Sequence, residues 1–271
     1  MTSDASTDGA GRGWYLYGVV RRPGPQGQGR RVVGLPLPEI ESVEQGDLAA
    51  VVRPVALSEF DPDVVRRRAE DVAWLESVVQ GHNDVIAAIH ENSAILPAKF
   101  GSIYACRDDV AAALEGAQDT LRQRLDSLEG MDEWAVRVRA PRSAIDERAS
   151  QAGAIRELEA EVAAATPGRA YFLQRQMERH LAARIDGAVA ELGQLAYEDL
   201  ARFAAESEAN PSGAVGDEVE VLKAAFLVSR QDVEGFLAAL HTLGDRIPGL
   251  TASYTGPWPP YSFATLPEGA P

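Results

Sequence analysis

The side chains of this chain that could do chemistry are four histidines, one cysteine and a few neighbouring carboxylates, and their spacing supports no catalytic or metal centre. The histidines are His82, His90, His180 and His241. Zinc ligation from a single helix needs two histidines about four residues apart, which no pair here supplies. His82 has only Asp84 near it, so a solvent-facing or capping role is expected. His90 ends a helical stretch, where the helix dipole favours a cation. His180 and His241 fall in amphipathic stretches without a neighbouring Cys or His. Cys106 is the only cysteine, so no intramolecular disulfide and no thiolate zinc cluster can form. With no histidine beside it, Cys106 reads as a small residue at a helix start. Asp108-Asp109, Glu159 with Glu161, and Glu206 with Glu208 lie on helix starts or polar faces, where they serve solvation and the dipole. No catalytic residue, metal or cofactor is expected.

Glycine and charge narrow the function further. Gly24, Gly27 and Gly29 follow a strand-like segment, but no helix follows them, and a phosphate cradle requires one. No G-x-S-x-G elbow occurs. The chain has 26 basic and 41 acidic residues, a net charge of −15 and a pI near 4.7. Lys99 and Lys223 are its only lysines. Arg66-Arg67-Arg68 is the strongest basic run, yet consecutive helical residues point in different directions, so it reads as a solvated face. No nucleic-acid partner is expected at this charge. Residues 1–13 are rich in Thr, Ser, Asp and Gly, without the basic and apolar regions of a secretory signal. No apolar run approaches the roughly 20 residues of a membrane helix. A cytoplasmic location without membrane contact is expected.

The elements follow from periodicity. Trp14–Val20 is aromatic and β-branched and reads as a buried strand. Residues 40–45 and 48–54 form a hairpin about Gly46-Asp47. Asp61-Pro62 opens one helical region reaching His90, with Val65, Ala69, Val72, Leu75 and Val79 at helical spacing. Residues 94–96 form a short strand, leading into the turn Leu96-Pro97-Ala98-Lys99-Phe100-Gly101. Residues 110–128 form one amphipathic helix and 133–139 a half-buried strand. Residues 145–206 are expected to be helical apart from Thr166-Pro167-Gly168. Leu173, Met177, Leu181, Ile185, Ala188, Leu192 and Leu195 form a seam suited to a helical hairpin. A loop at 210–213, a strand at 219–228, a helix at 232–243 and a strand at 250–255 complete the pattern. Ser229 is expected to cap that helix, with Asp232 completing a capping box.

This pattern predicts an α+β chain of two domains. Residues 1–13 are expected to be disordered. Residues 14–140 form an N-terminal α+β domain. Residues 141–271 form a second domain, carrying the helical insert at about 145–206 and a Pro/aromatic tail. The tail Gly256-Pro257-Trp258-Pro259-Pro260-Tyr261-Ser262-Phe263 is expected to lack regular structure, because three prolines lock φ and lack donors. It either folds back to seal its own domain or presents a partner surface. Prolines lower the entropy lost on ordering, and aromatic rings give contact area at little rotamer cost.

Five patches, in order along the chain, resemble the GvpL/GvpF family of gas vesicle proteins. They are Trp14–Val20, Leu96–Ser102, Gly168–Arg175, Ala225–Val228 and Thr255–Phe263, the last being the most specific. Lys99 departs from the arginine more usual there, which keeps the charge but loses a bidentate contact. The 21–31 loop carries no family signature.

The resemblance implies a minor structural or assembly protein of gas vesicles, located at the vesicle and in the cytoplasm. It implies a C-terminal domain of ferredoxin-like fold with a long helical hairpin. It also implies binding to gas vesicle protein A, the small hydrophobic shell protein, during nucleation or growth of the wall. The residues expected to make that contact are Pro97, Lys99, Phe100 and Gly101 in the turn, and Pro257, Trp258, Pro259, Pro260, Tyr261 and Phe263 in the tail. Two alternatives stay open: a scaffold for other accessory gas vesicle proteins, and an enzyme with an interdomain pocket.

Overall fold

The computed structural model of the protein describes residues 11–22, 40–150, 161–210, 214–215 and 218–264. The expectations placed on residues 1–10, on most of the 21–31 loop, on residues 151–160 of the insert and on the 211–213 loop lie outside them. The chain divides into two compact units. One takes the described residues up to Asp132 together with those from Trp258 onward, and the other spans Glu133–Pro257.

The first unit is built on β1 (Arg12–Arg21), β2 (Glu41–Gln45), β3 (Leu48–Ala56), β4 (Ile95–Pro97) and β5 (Ile103–Tyr104). Their order is β2-β3-β1-β4, with β5 also on β1, and every pairing is antiparallel. β1 begins at Arg12, so Arg12 and Gly13 belong to the sheet. The β2–β3 hairpin pairs Gln45 with Leu48 across two residues. Gly46 takes the positive φ, 60°, that the first position of such a turn needs.

The helices are α1 (Pro62–Arg68), α2 (Val72–His90), α3 (Arg107–Gly116) and α4 (Gln118–Leu128). Each of the two single helices expected from periodicity is therefore a pair. The Asp71 carboxylate accepts from the amides of Ala73 and Trp74 and starts α2 afresh. Ala117, at φ −113° and ψ 11°, separates α3 from α4. β1 is buried along nearly all its length. Tyr15, Tyr17, Val20, Ala49 and Val51 pack with Val85, Ile86 and Ile89 of α2. Leu48, Ala50 and Val52 alternate onto the opposite face, where Arg107 at the start of α3 lies 4.7 Å over the Trp14 ring.

The second unit holds β6 (Met131–Pro141), β7 (Glu206–Asn210), β8 (Ala214–Val215), β9 (Glu218–Ser229) and β10 (Thr251–Trp258). The order is β10-β6-β9-β7, with β8 on β9. β7 and β8 run antiparallel to β9. Its helices are α5 (Arg142–Ser150), α6 (Pro167–Ala201), α7 (Val233–His241) and α8 (Leu243–Arg246), and residues 161–164 are also helical. Trp134, Val136 and Val138 of β6 share a core with Leu192, Ala196 and Leu200 of α6 and with Phe226 and Phe236.

Several expectations are corrected. The 133–139 strand, grouped with the N-terminal domain, pairs within the second sheet. Glu206, expected in a helix, opens β7, an edge strand whose Glu-Ser-Glu-Ala-Asn sequence suits a solvated sheet margin. Leu195 is exposed; the buried line of α6 continues instead through Ala196 and Leu200, because this half packs on a sheet. Ser229 accepts from the Gln231 amide, whereas the Asp232 side chain caps nothing. The tail is partly regular, since β10 runs through Gly256 and Pro257 to Trp258. β10 is an edge strand, where a missing amide donor is tolerated. From Trp258 onward the tail joins the first unit, not the domain expected to carry it.

Candidate partner-binding site

The turn after β4 is a loop pushed out of a continuous edge. Pro97 pairs with Gly18, and the Ala98 amide donates to the Tyr17 carbonyl at 2.9 Å. The Ser102 carbonyl then accepts from the Leu16 amide at 2.9 Å. These bonds fix both ends of the turn to adjacent residues of β1, so Lys99, Phe100 and Gly101 must bulge outward. The Ser102 amide and hydroxyl both donate to the Lys99 carbonyl. Gly101 sits at φ 85°, which only glycine adopts without strain. Pro97 and Ala98 are buried, whereas Lys99 and Phe100 face outward.

A buried polar circuit lies beneath the turn. The Tyr15 hydroxyl is 2.9 Å from His82 Nδ1 and accepts from the Gly101 amide at 3.3 Å. His82 also bonds to the Ala98 backbone. Because the Tyr15 oxygen already accepts from Gly101, its hydrogen is donated to Nδ1, which assigns the ring proton of the neutral imidazole to Nε2. His82 is 5 % exposed, which corrects the expectation of a solvent-facing residue. Burial pushes its pKa below the ordinary imidazole value, with the Ala98 bond opposing. The Tyr15 phenol is pushed up to about 12, chiefly by burial, while the Gly101 amide and Arg53 oppose the shift. Phe100 stands edge-on to His82, ring centres 5.6 Å apart and planes at 90°, and remains 46 % exposed. Tyr17 stacks on His82, Phe60 meets Tyr15, and the Arg53 guanidinium lies 6.0 Å from the Tyr15 ring centre.

The tail combines anchors with outward rings. Pro259, Pro260 and Phe263 are buried. Arg124 of α4 donates from Nε and its second amino nitrogen to the Phe263 carbonyl, at 2.9 and 2.5 Å. The Tyr261 amide donates to the Pro259 carbonyl, and the Phe263 amide to that of Pro260. Trp258 and Tyr261 point outward, 47 % and 39 % exposed. The Tyr261 hydroxyl donates to Asn83 Oδ1 at 3.3 Å. Phe100 and Tyr261 therefore contact consecutive residues of α2, although 161 positions separate them in sequence (261 − 100). Pro257, Pro259, Pro260 and Phe263 serve as backbone restraint and anchor, leaving Trp258 and Tyr261 as the tail's exposed rings.

Several other residues weighed as chemistry are occupied structurally. His90 Nε2 lies 2.8 Å from the Asp132 carboxylate in a part-buried pair. Arg21 bridges Asp47 and Asp126, Arg122 also grips Asp47, and Arg22 meets Glu44. Arg66 pairs with Asp63, and Arg68 lies over Trp74. Among the described residues no group of three His, Cys, Asp or Glu could hold a metal ion. Among them, too, no helix is long and apolar enough to cross a membrane.

The five sequence patches thus lie on β1, the turn, α6, β9 and the β10–tail junction. The family model described as gas vesicle synthesis protein GvpL/GvpF matches residues 13–265, a span containing all five. The chain belongs to the GvpL/GvpF family. It is 33 % identical to gas vesicle protein L of Streptomyces sp. (strain CB03234) over 267 residues, covering 94 % of this chain and 93 % of that protein. It is 27 % identical to gas vesicle protein F of the same strain, covering 92 % and 98 %. Its fold is similar to the crystal structures of GvpF from Microcystis aeruginosa and from Anabaena sp. PCC7120. The TM-scores are 0.60 and 0.61 and the identities 16 % and 19 %; each covers 94 % of this chain, with 99 % and 97 % of the respective GvpF. Membership in GvpL/GvpF gives the chain a role in gas vesicle formation.

Proposed function

We propose that this GvpL/GvpF chain binds gas vesicle protein A through the Lys99–Gly101 turn and the Trp258–Tyr261 segment while the vesicle wall nucleates or grows. The observation that carries the reading is an aromatic ring held in place yet left half in water. Phe100 is fixed edge-on to a buried histidine and is still 46 % exposed. Trp258 and Tyr261 are held by a tail whose Phe263 carbonyl Arg124 grips. Ordered rings lose little further entropy on binding and offer large apolar area. A surface of this kind suits a small hydrophobic protein whose apolar faces need cover until they enter a wall. The net charge of −15 keeps such a complex dispersed.

The ferredoxin-like reading of the second unit rests on its strand order. Numbered within that unit and leaving out the short β8, β10-β6-β9-β7 is fourth-first-third-second, with helices after the first and third strands. A scaffold role for other accessory gas vesicle proteins is supported by a different surface. Tyr171 and Phe172 on α6 are largely exposed, and Arg175 lies 6.0 Å from the Tyr171 ring centre. Co-expression with the shell protein followed by co-purification at moderate and high salt separates the two readings. Retention of the shell protein at both salt levels supports direct apolar capture. Retention of accessory proteins alone, with the shell protein present and soluble, supports the scaffold.

A further inference from the structure

The circuit beneath the turn works only with a neutral imidazole. The Tyr15 oxygen accepts from the Gly101 amide, so its own hydrogen goes to His82 Nδ1, 2.9 Å away. Adding a proton to Nδ1 turns that acceptor into a donor. The Tyr15 oxygen would then accept from both Nδ1 and Gly101, and its own hydrogen would lose its partner inside an aromatic cluster. The new charge would be enclosed by the Tyr15 and Tyr17 rings of β1 and by Phe100 from the turn, with Phe60 backing Tyr15. Around this cluster stand the cations Arg53 of β3, over Tyr15, and Lys99 beside Phe100, and the carboxylates Glu59 and Asp61 that flank Phe60, both exposed to solvent. On α2 itself Asp84, two positions along, is exposed to solvent. An imidazolium here gains no stabilising partner among these groups and is driven toward water.

We propose that His82 is a proton-operated latch: neutral, it holds the Lys99–Gly101 turn against β1; protonated, it leaves its site and frees the turn, uncovering the Tyr15 ring that Phe100 and His82 pack against. The latch deepens the proposed function, because it would govern the presentation of the surface read there as the shell-protein contact. Protonation of His82 would make that surface larger and more mobile.

The test uses the full chain alone, labelled with nitrogen-15. Imidazole nitrogen shifts report the tautomer and titration of His82, and amide hydrogen exchange reports the turn. Near about pH 7.5 the latch requires the Nε2–H tautomer and a protected Gly101 amide. On acidification, after correction for intrinsic exchange, Gly101 should lose about tenfold or more of its protection with the midpoint of the His82 titration, while Val51 and Val52 in β3 keep theirs. Tyr15→Phe should give a weakly protected Gly101 at every pH, with no step. His82 titrating while Gly101 protection stays flat overturns the latch, as does simultaneous loss at Gly101, Val51 and Val52, which would be global acid unfolding. Shell-protein retention above and below the midpoint of the His82 titration is a separate readout. A latch seen in the isolated chain with pH-independent retention leaves the latch standing and contradicts the turn as a shell-protein contact.

Discussion

The Tyr15 hydroxyl and His82 Nδ1 meet at 2.9 Å inside the first unit, joining the central strand of one sheet to the helix that covers it. Both residues are nearly fully buried. Tyr15→Phe keeps the ring and deletes the hydroxyl, leaving an imidazole acceptor and the Gly101 amide without that partner. It should cost about 1–3 kcal/mol of stability in urea unfolding. In a double-mutant cycle with His82→Phe, the two losses should sum to more than the double variant shows.

Stability should respond to pH at both ends. The Tyr15 pKa is raised from 10.0 to about 12, so its contribution is complete below the unfolded value near 10 and is lost as pH rises through 12. The His82 pKa is lowered, so its contribution is complete above the unfolded imidazole value of about 6.5 and is lost as pH falls through its folded value. Urea midpoints measured across pH should therefore fall on both sides. Tyr15→Phe should flatten the alkaline limb.

Sequence periodicity revealed most of the sheet. Trp14–Val20, the Gly46-Asp47 hairpin and the 219–228 strand are long and apolar enough to announce themselves. β7 is not, because an edge strand of Glu, Ser and Ala carries no apolar alternation. His82 was legible in principle: it sits three residues after Val79 and three before Val85, on the apolar line of α2. What the sequence alone could not supply is Tyr15, 67 residues away, which turns a histidine on an apolar face into the hub of a circuit. The tail shows the same limit. Its composition marked it as special, but the unit it joins follows from distant partners such as Arg124 of α4, 139 positions before Phe263, and Asn83 of α2.

Phe263 and Trp258 should separate anchor from surface. Phe263 is 6 % exposed, and Phe263→Ala should cost about 3 kcal/mol or more. Trp258→Ala, at a half-exposed ring, should cost less than about 1 kcal/mol. Thermal melts of the two variants check the ordering, and equal losses would contradict it.

Gly101 sets the turn by its backbone alone, since a Cβ there meets nothing within 4 Å while φ is 85°. Gly101→Ala should cost about 1–2 kcal/mol, and Gly101→Asn less, because asparagine tolerates the left-handed region better. Urea unfolding of both variants gives the comparison.

The most direct measurement of the account is the amount of gas vesicle protein A retained by the Phe100→Ser/Trp258→Ser chain relative to the unchanged chain, at matched expression and in high salt. A loss of about tenfold or more is expected, with the circular dichroism spectrum unchanged and the melting temperature within a few degrees of the original. Undiminished retention by the folded double variant would contradict it and move the contact to another surface.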